Sequence, residues 1–101
     1  VEDVAALARL AAQQWPNDPQ VWGLLARVES ARGKKTAQHA ALAEQYALAG
    51  ATASAIEQLT LARGASDADF VMLSRIDSRL TTLRAALRRE QMERQEAGGK
   101  N

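Results

Sequence analysis

Two glycines, Gly33 and Gly50, stand 17 residues apart, and the stretch between them carries apolar residues at helical spacing with no proline. That punctuation restricts the chain to short helices joined by tight turns. Glycine enters the left-handed backbone conformation that ends a helix without a Cβ clash. Helical periodicity runs through the other sections as well. In the first, Val4, Leu7, Ala8, Ala11 and Trp15 recur at spacings of three and four and predict one apolar stripe, ended by Pro16. Asn17-Asp18-Pro19 opens the next segment, with Asp18 expected as the cap and Pro19 suited to the first turn. Its residues Val21, Trp22, Leu24, Leu25 and Val28 cover a wide arc, as in a helix with neighbours on two sides, and Gly33 stops it. A third helix is expected from about Thr36 to Ala49, with Leu42 and Tyr46 one turn apart and Gly50 as its stop. A fourth is expected from about Thr52 to Arg63, carrying Ala55, Ile56, Leu59 and Ala62, with Gly64 as its stop.

The fifth segment is longer. Asp67 is expected to cap a helix that continues without Gly or Pro to about Glu96. Leu73, Ile76, Leu80, Leu83 and Leu87 form an apolar seam to lie along other helices. After Leu87 the stripe fails, so the stretch from Arg88 to Glu96 is expected to project into solvent or meet something outside the chain. Residues 97–101 are expected to form a disordered tail.

Composition narrows the class. The chain has 101 residues, 47% hydrophobic and 25% charged, enough for a single helical-repeat domain over 1–96 with a modest core. Two prolines, six glycines and 4% aromatics argue against a turn-rich sandwich or barrel. No apolar run approaches the ~20 residues of a membrane span. Lys plus Arg is 13 and Asp plus Glu is 12, a balance that gives no electrostatic basis for non-specific nucleic-acid binding. The lack of cysteine removes disulfides, thiolate metal sites and cysteine nucleophiles together. The chain opens Val1-Glu2-Asp3-Val4, with neither a methionine nor a basic n-region, and is read as a fragment of a longer protein.

Catalytic chemistry has little to build on. With one histidine, the chain holds no HExxH, no two-histidine metal site and no Cys-His pair. His39 is expected as a structural or half-exposed imidazole. No GxxxxGK[ST] or GxGxxG cradle is present. Asp67 and Asp69 read as acids at a helix N-terminus. No catalytic residue, metal site or cofactor is therefore expected in this chain. The last helix carries Arg75, Arg79, Arg84, Arg88, Arg89 and Arg94 against Asp77, Glu90 and Glu93. No aromatics interleave with these arginines, so a solvated face or a protein contact is expected and nucleic acid is not. Arg84, Arg88 and Arg89 are the candidate exposed interface. Trp15, Trp22, Tyr46 and Phe70, the only aromatics, are expected in the core and not in a ligand cage.

The spacing of 17 is half of the 34-residue tetratricopeptide period. Leu42, Ala43, Tyr46, Gly50, Ala55, Leu59 and Ala62 occupy that pattern's large, small, aromatic, glycine and alanine positions. Trp22, Leu25, Ala26 and Gly33 fit the first helix of a unit. Val4, Ala8, Ala11 and Pro16 resemble the closing helix of a unit beginning before residue 1. The expected fold is all-α: a tetratricopeptide-like right-handed stack of about four short antiparallel helices plus a long C-terminal helix. A plain helical bundle is the alternative. If Trp22 and His39 are equivalent, Gln20, Arg27, Ser30 and Glu44 face a partner-binding concave groove; otherwise they form a solvated polar face.

The run Asn17-Asp18-Pro19-Gln20-Val21-Trp22-Gly23-Leu24-Leu25-Ala26, the stretch from His39 to Gly50 ending Tyr46-Ala47-Leu48-Ala49-Gly50, and Arg75-Ile76-Asp77-Ser78-Arg79-Leu80 carry a more specific resemblance. Over about residues 17–94 the chain resembles the C-terminal tetratricopeptide region of bacterial HExxH zinc metalloproteases of the β-barrel assembly-enhancing type. The resemblance implies a periplasmic protein whose zinc lies in an N-terminal protease domain. It also implies helical repeats that contact that domain, the outer-membrane assembly machinery or client barrels. None of the zinc ligands maps onto this chain, so the implied role is protein interaction without peptidase activity. A homodimer through an exposed Leu73-to-Leu87 seam is the competing expectation.

Overall fold

A computed structural model describes residues 2–99. They form five helices: α1 (Glu2–Gln14), α2 (Pro19–Ala31), α3 (Lys35–Leu48), α4 (Thr52–Gly64) and α5 (Phe70–Gly99). Local chemistry accounts for most boundaries. Asp18 Oδ1 accepts the Gln20 amide at 2.9 Å and Pro19 occupies the first helical position, so α2 begins as expected. Trp22 Nε1 donates to the Pro16 carbonyl at 2.8 Å and braces the preceding elbow.

Gly33 (φ 73°) and Gly50 (φ 80°) are the only residues with positive φ among those described. The two turns close alike. The Lys34 amide donates to Glu29 O at 2.9 Å and the Gly33 amide to Ser30 O at 3.0 Å. After α3, the Ala51 amide donates to Tyr46 O at 2.9 Å and the Gly50 amide to Ala47 O at 3.1 Å. Both pairs satisfy carbonyls that a helix end leaves without partners. Gly64 does not act this way. It is the last residue of α4, and Ala65 leaves the helix in extended conformation at φ −72°, ψ 145°.

Asp67 also departs from expectation. Asp69 caps α5, accepting the Met72 amide at 2.8 Å. Asp67 reaches back to α3, whose own N-terminal residue Lys34 makes no side-chain cap. There its Oδ1 accepts the Thr36 amide at 3.1 Å and the Thr36 hydroxyl at 2.7 Å. Two aspartates so close in sequence serve two helices because the α4–α5 connection passes the start of α3. At the other end α5 continues to Gly99, so 97–99 are helical where a disordered tail was expected. Lys100 and Asn101 of that tail lie outside the described residues.

Successive helices pack on one another around two buried clusters. Ala8, Ala12, Leu25, Ala26 and Ala41 join α1, α2 and α3. Ala43, Ala55, Leu59, Ala62, Ile76, Leu80 and Leu83 join α3, α4 and α5. Helix α3 belongs to both, through Ala41 and Ala43. Ion pairs fix directions: Arg63–Asp77 and the Thr52–Glu90 hydrogen bond set α4 and α5 antiparallel. Thr36–Asp67 and Glu44–Arg79, 31 and 35 residues apart in sequence, set α5 parallel to α3. The result is an all-α stack with largely sequential contacts, consistent in general form with a tetratricopeptide-like fold.

Two expectations about faces do not hold, and one about the α5 seam does. α1 buries Ala5, Ala8 and Ala12, while Leu7 and Trp15 of the expected stripe are 66% and 58% exposed. The alanine side allows α1 to approach α2 more closely, and dispersion rewards closeness. Of the aromatics expected in the core, only Trp22 is half-buried; Trp15, Tyr46 and Phe70 are exposed. The α5 seam is covered within the chain: Ile76, Leu80 and Leu83 are buried and Leu73 and Leu87 half-buried. The seam thus lies along the other helices, as expected.

Two predictions follow from these boundaries. Gly50→Ala forces a Cβ into the left-handed region and lowers stability by about 1–2 kcal/mol. Gly64→Ala, at a helical position with nothing within 4 Å, is neutral or stabilising; urea denaturation of both variants checks the contrast. The Thr36 hydrogen bonds hold the Asp67 carboxyl below its ordinary value of 3.8, and Arg63 does the same to Asp77. A folded-state pKa below the unfolded one contributes stability that is complete above the unfolded value and is lost as pH falls through the folded one. The urea midpoint therefore falls as pH drops below about 4, and less steeply in Asp67→Asn.

Candidate functional site

Helix α3 presents two different sides to the surface. Gln38, Leu42 and Gln45 face α2, where Gln20, Gly23, Ala26, Arg27 and Ser30 complete a groove of about 550 Å³. Ala37, Ala40, Ala41 and Glu44 recur at spacings of three and one and line a second depression of about 400 Å³. Its walls draw on every helix: Arg9 of α1, Trp22, Leu25 and Glu29 of α2, Leu59 of α4, and Arg75, Ile76 and Arg79 of α5.

Gln20, Arg27 and Ser30, predicted together, do come together in the α2–α3 groove. Glu44 does not join them. It lies in the second depression, where Arg79 Nε and Nη2 donate to its two carboxylate oxygens at 2.8 Å each. The equivalence that paired Arg27 with Glu44 relates consecutive helices. Those helices run antiparallel, so like positions open onto opposite sides of the layer. Arg84, Arg88 and Arg89 are exposed on α5. The Thr52 hydroxyl donates to Glu90 Oε2 at 2.8 Å, keeping α5 against α4 past the expected end of the seam. Residues 91–99 are all exposed.

The α2–α3 groove is polar and shaped by one close approach. A Cβ added at Gly23 would lie 2.6 Å from Gln45 Nε2, so the Gln45 amide rests across α2 where the side chain is missing. A glycine inside a helix costs about 1 kcal/mol relative to alanine, and that cost is the sequence signal for such an approach.

The second depression has an apolar floor and a charged edge. Glu29 is only 5% exposed and accepts Arg32 Nη1 at 2.6 Å, with Arg9 Nη1 at 3.7 Å. A carboxylate removed from water requires such partners. Arg75 is exposed and makes no hydrogen bond or ion pair among the described residues. Sequence reasoning missed Arg9, Glu29 and Arg75 as a group, because they lie on three helices.

His39 sits in neither groove. Its Nδ1 lies 2.8 Å from Gln58 Oε1, which only accepts, so the imidazole donates there from Nδ1. Among the described residues no group of three or more His, Cys, Asp or Glu side chains is placed to hold a metal ion. No described helix is long and apolar enough to cross a membrane.

Gly23→Ala tests the α2–α3 contact. The Gln45 amide, the far end of a flexible side chain, swings aside, so unfolding stability changes by less than about 1 kcal/mol. The Gln45 side-chain NH₂ resonances move while those of Gln58 stay in place.

In comparisons with models of protein families, with curated proteins and with solved structures, nothing matches this chain.

Proposed function

We propose that the chain is a non-catalytic protein-interaction module, a tetratricopeptide-like right-handed stack that holds another polypeptide in the 400 Å³ depression. The observation that carries this reading is that the depression is walled by all five helices over an apolar floor. Stacked helix pairs use such shared concavities for binding, because no single repeat can form one alone.

The finer proposal places this module in a periplasmic HExxH zinc metalloprotease of the β-barrel assembly-enhancing type. Its zinc would belong to the parent's protease domain. The partners would be that domain, the outer-membrane assembly machinery or client barrels. Its support is the sequence run ending Tyr46-Ala47-Leu48-Ala49-Gly50 together with Arg75-Ile76-Asp77-Ser78-Arg79-Leu80. Arg84, Arg88 and Arg89 then serve as contacts to the rest of the parent protein.

Photo-cross-linking in the full-length parent tests the first reading. A probe at Ala40 captures another polypeptide, and a probe at Arg89 captures the parent's own neighbouring domain. Empty results from both positions overturn the module. The gene encoding the parent tests the second: an HExxH upstream is expected, and its absence removes the protease link while leaving the interaction reading in place.

A further inference from the structure

The charged edge of the second depression is unequal in a way that selects its guest. Both glutamates there are already engaged within the chain. Glu44 has each oxygen taken by Arg79, and Glu29 is buried against Arg32 and Arg9. The cations are not used up. Arg75 has no partner among the described residues. Arg9 has a side chain 44% exposed and, among the described residues, only the 3.7 Å ion pair with Glu29. A guest therefore meets free donors and no free acceptor carboxylate, above a floor of Trp22, Leu25, Ala40, Ala41 and Ile76.

On the interaction reading above, we propose that the depression binds a polypeptide segment in which an acidic residue adjoins a bulky apolar side chain. The apolar side chain covers the floor and the carboxylate pairs with Arg75. An arginine suits that role, since its planar fork grips a carboxylate through two parallel hydrogen bonds. Arg79, one turn along α5, is held in place by Glu44 and adds to the positive field without leaving its own pair. A basic segment would face these arginines without an available acceptor, so charge complementarity excludes it. Nucleic acid fits less well. Trp22 is the one aromatic on the floor, whereas a single strand is held by successive bases stacked on several aromatic rings.

The test is a random-peptide display selection on the full chain, followed by binding of the best synthetic peptide to variants. Recovered sequences are expected to be enriched in Asp or Glu beside Leu, Ile or Phe. Arg75→Glu, or an amide in place of the peptide's acid, should weaken binding at least about tenfold, and Arg75→Gln should fall between. Arg27→Glu, in the other groove, should leave binding unchanged, and the Trp22 indole resonance should shift on titration. Arg75 makes no hydrogen bond or ion pair among the described residues, so its variants keep the wild-type melting curve. Binders that lack acidic enrichment, or that ignore Arg75→Glu, overturn this inference and leave the interaction module standing. A selection that recovers no binder overturns both.

Discussion

Close approach at alanine is the constraint on which this structure rests. Ala43, Ala55 and Ala62 are fully buried between α3, α4 and α5, and Ala41 and Ala26 play the same part between α2 and α3. Each alanine buries little more than a methyl group, so none contributes much by itself. What they provide is distance: backbones near enough for Leu59, Ile76, Leu80 and Leu83 to interdigitate at the density of a protein interior. Larger residues at the same points would hold the helices apart and cost more in strain than their extra surface returned.

Polar contacts then decide how the layers are aligned. Burial against an apolar face is non-directional and leaves α5 free to slide along its neighbours. The Thr36–Asp67 hydrogen bonds fix its start and the two-pronged Glu44–Arg79 pair fixes its middle. Arg63–Asp77, with both side chains about half exposed, adds little, since water competes for both charges. Glu44–Arg79 is more sheltered and holds two long side chains in one geometry. By consuming Glu44 it also leaves the rim positive. The same contact sets the alignment of a helix and the chemistry of a surface.

Much of this was legible one helix at a time. Gly33, Gly50 and the Asp18-Pro19 pair mark helix ends through hydrogen bonds spanning a few residues, so their neighbours in sequence suffice to read them. Ala43, Ala55, Leu59 and Ala62 followed the repeat pattern into the core. The gathering of Gln20, Arg27 and Ser30 was legible for the same reason, since all three lie on one face of one helix.

The sequence alone determined that the chain forms short helices with tight glycine turns and a long final helix, because helix starts and stops are local events. Only the tertiary structure decided which face of α1 is buried, which of Asp67 and Asp69 caps which helix, which side Glu44 joins, and that Arg75 has no hydrogen-bond or ion-pair partner among the described residues. Each of those outcomes depends on groups far apart in the chain. Which contact forms follows from small differences in distance and desolvation between alternatives, and those exist only once the helices are assembled.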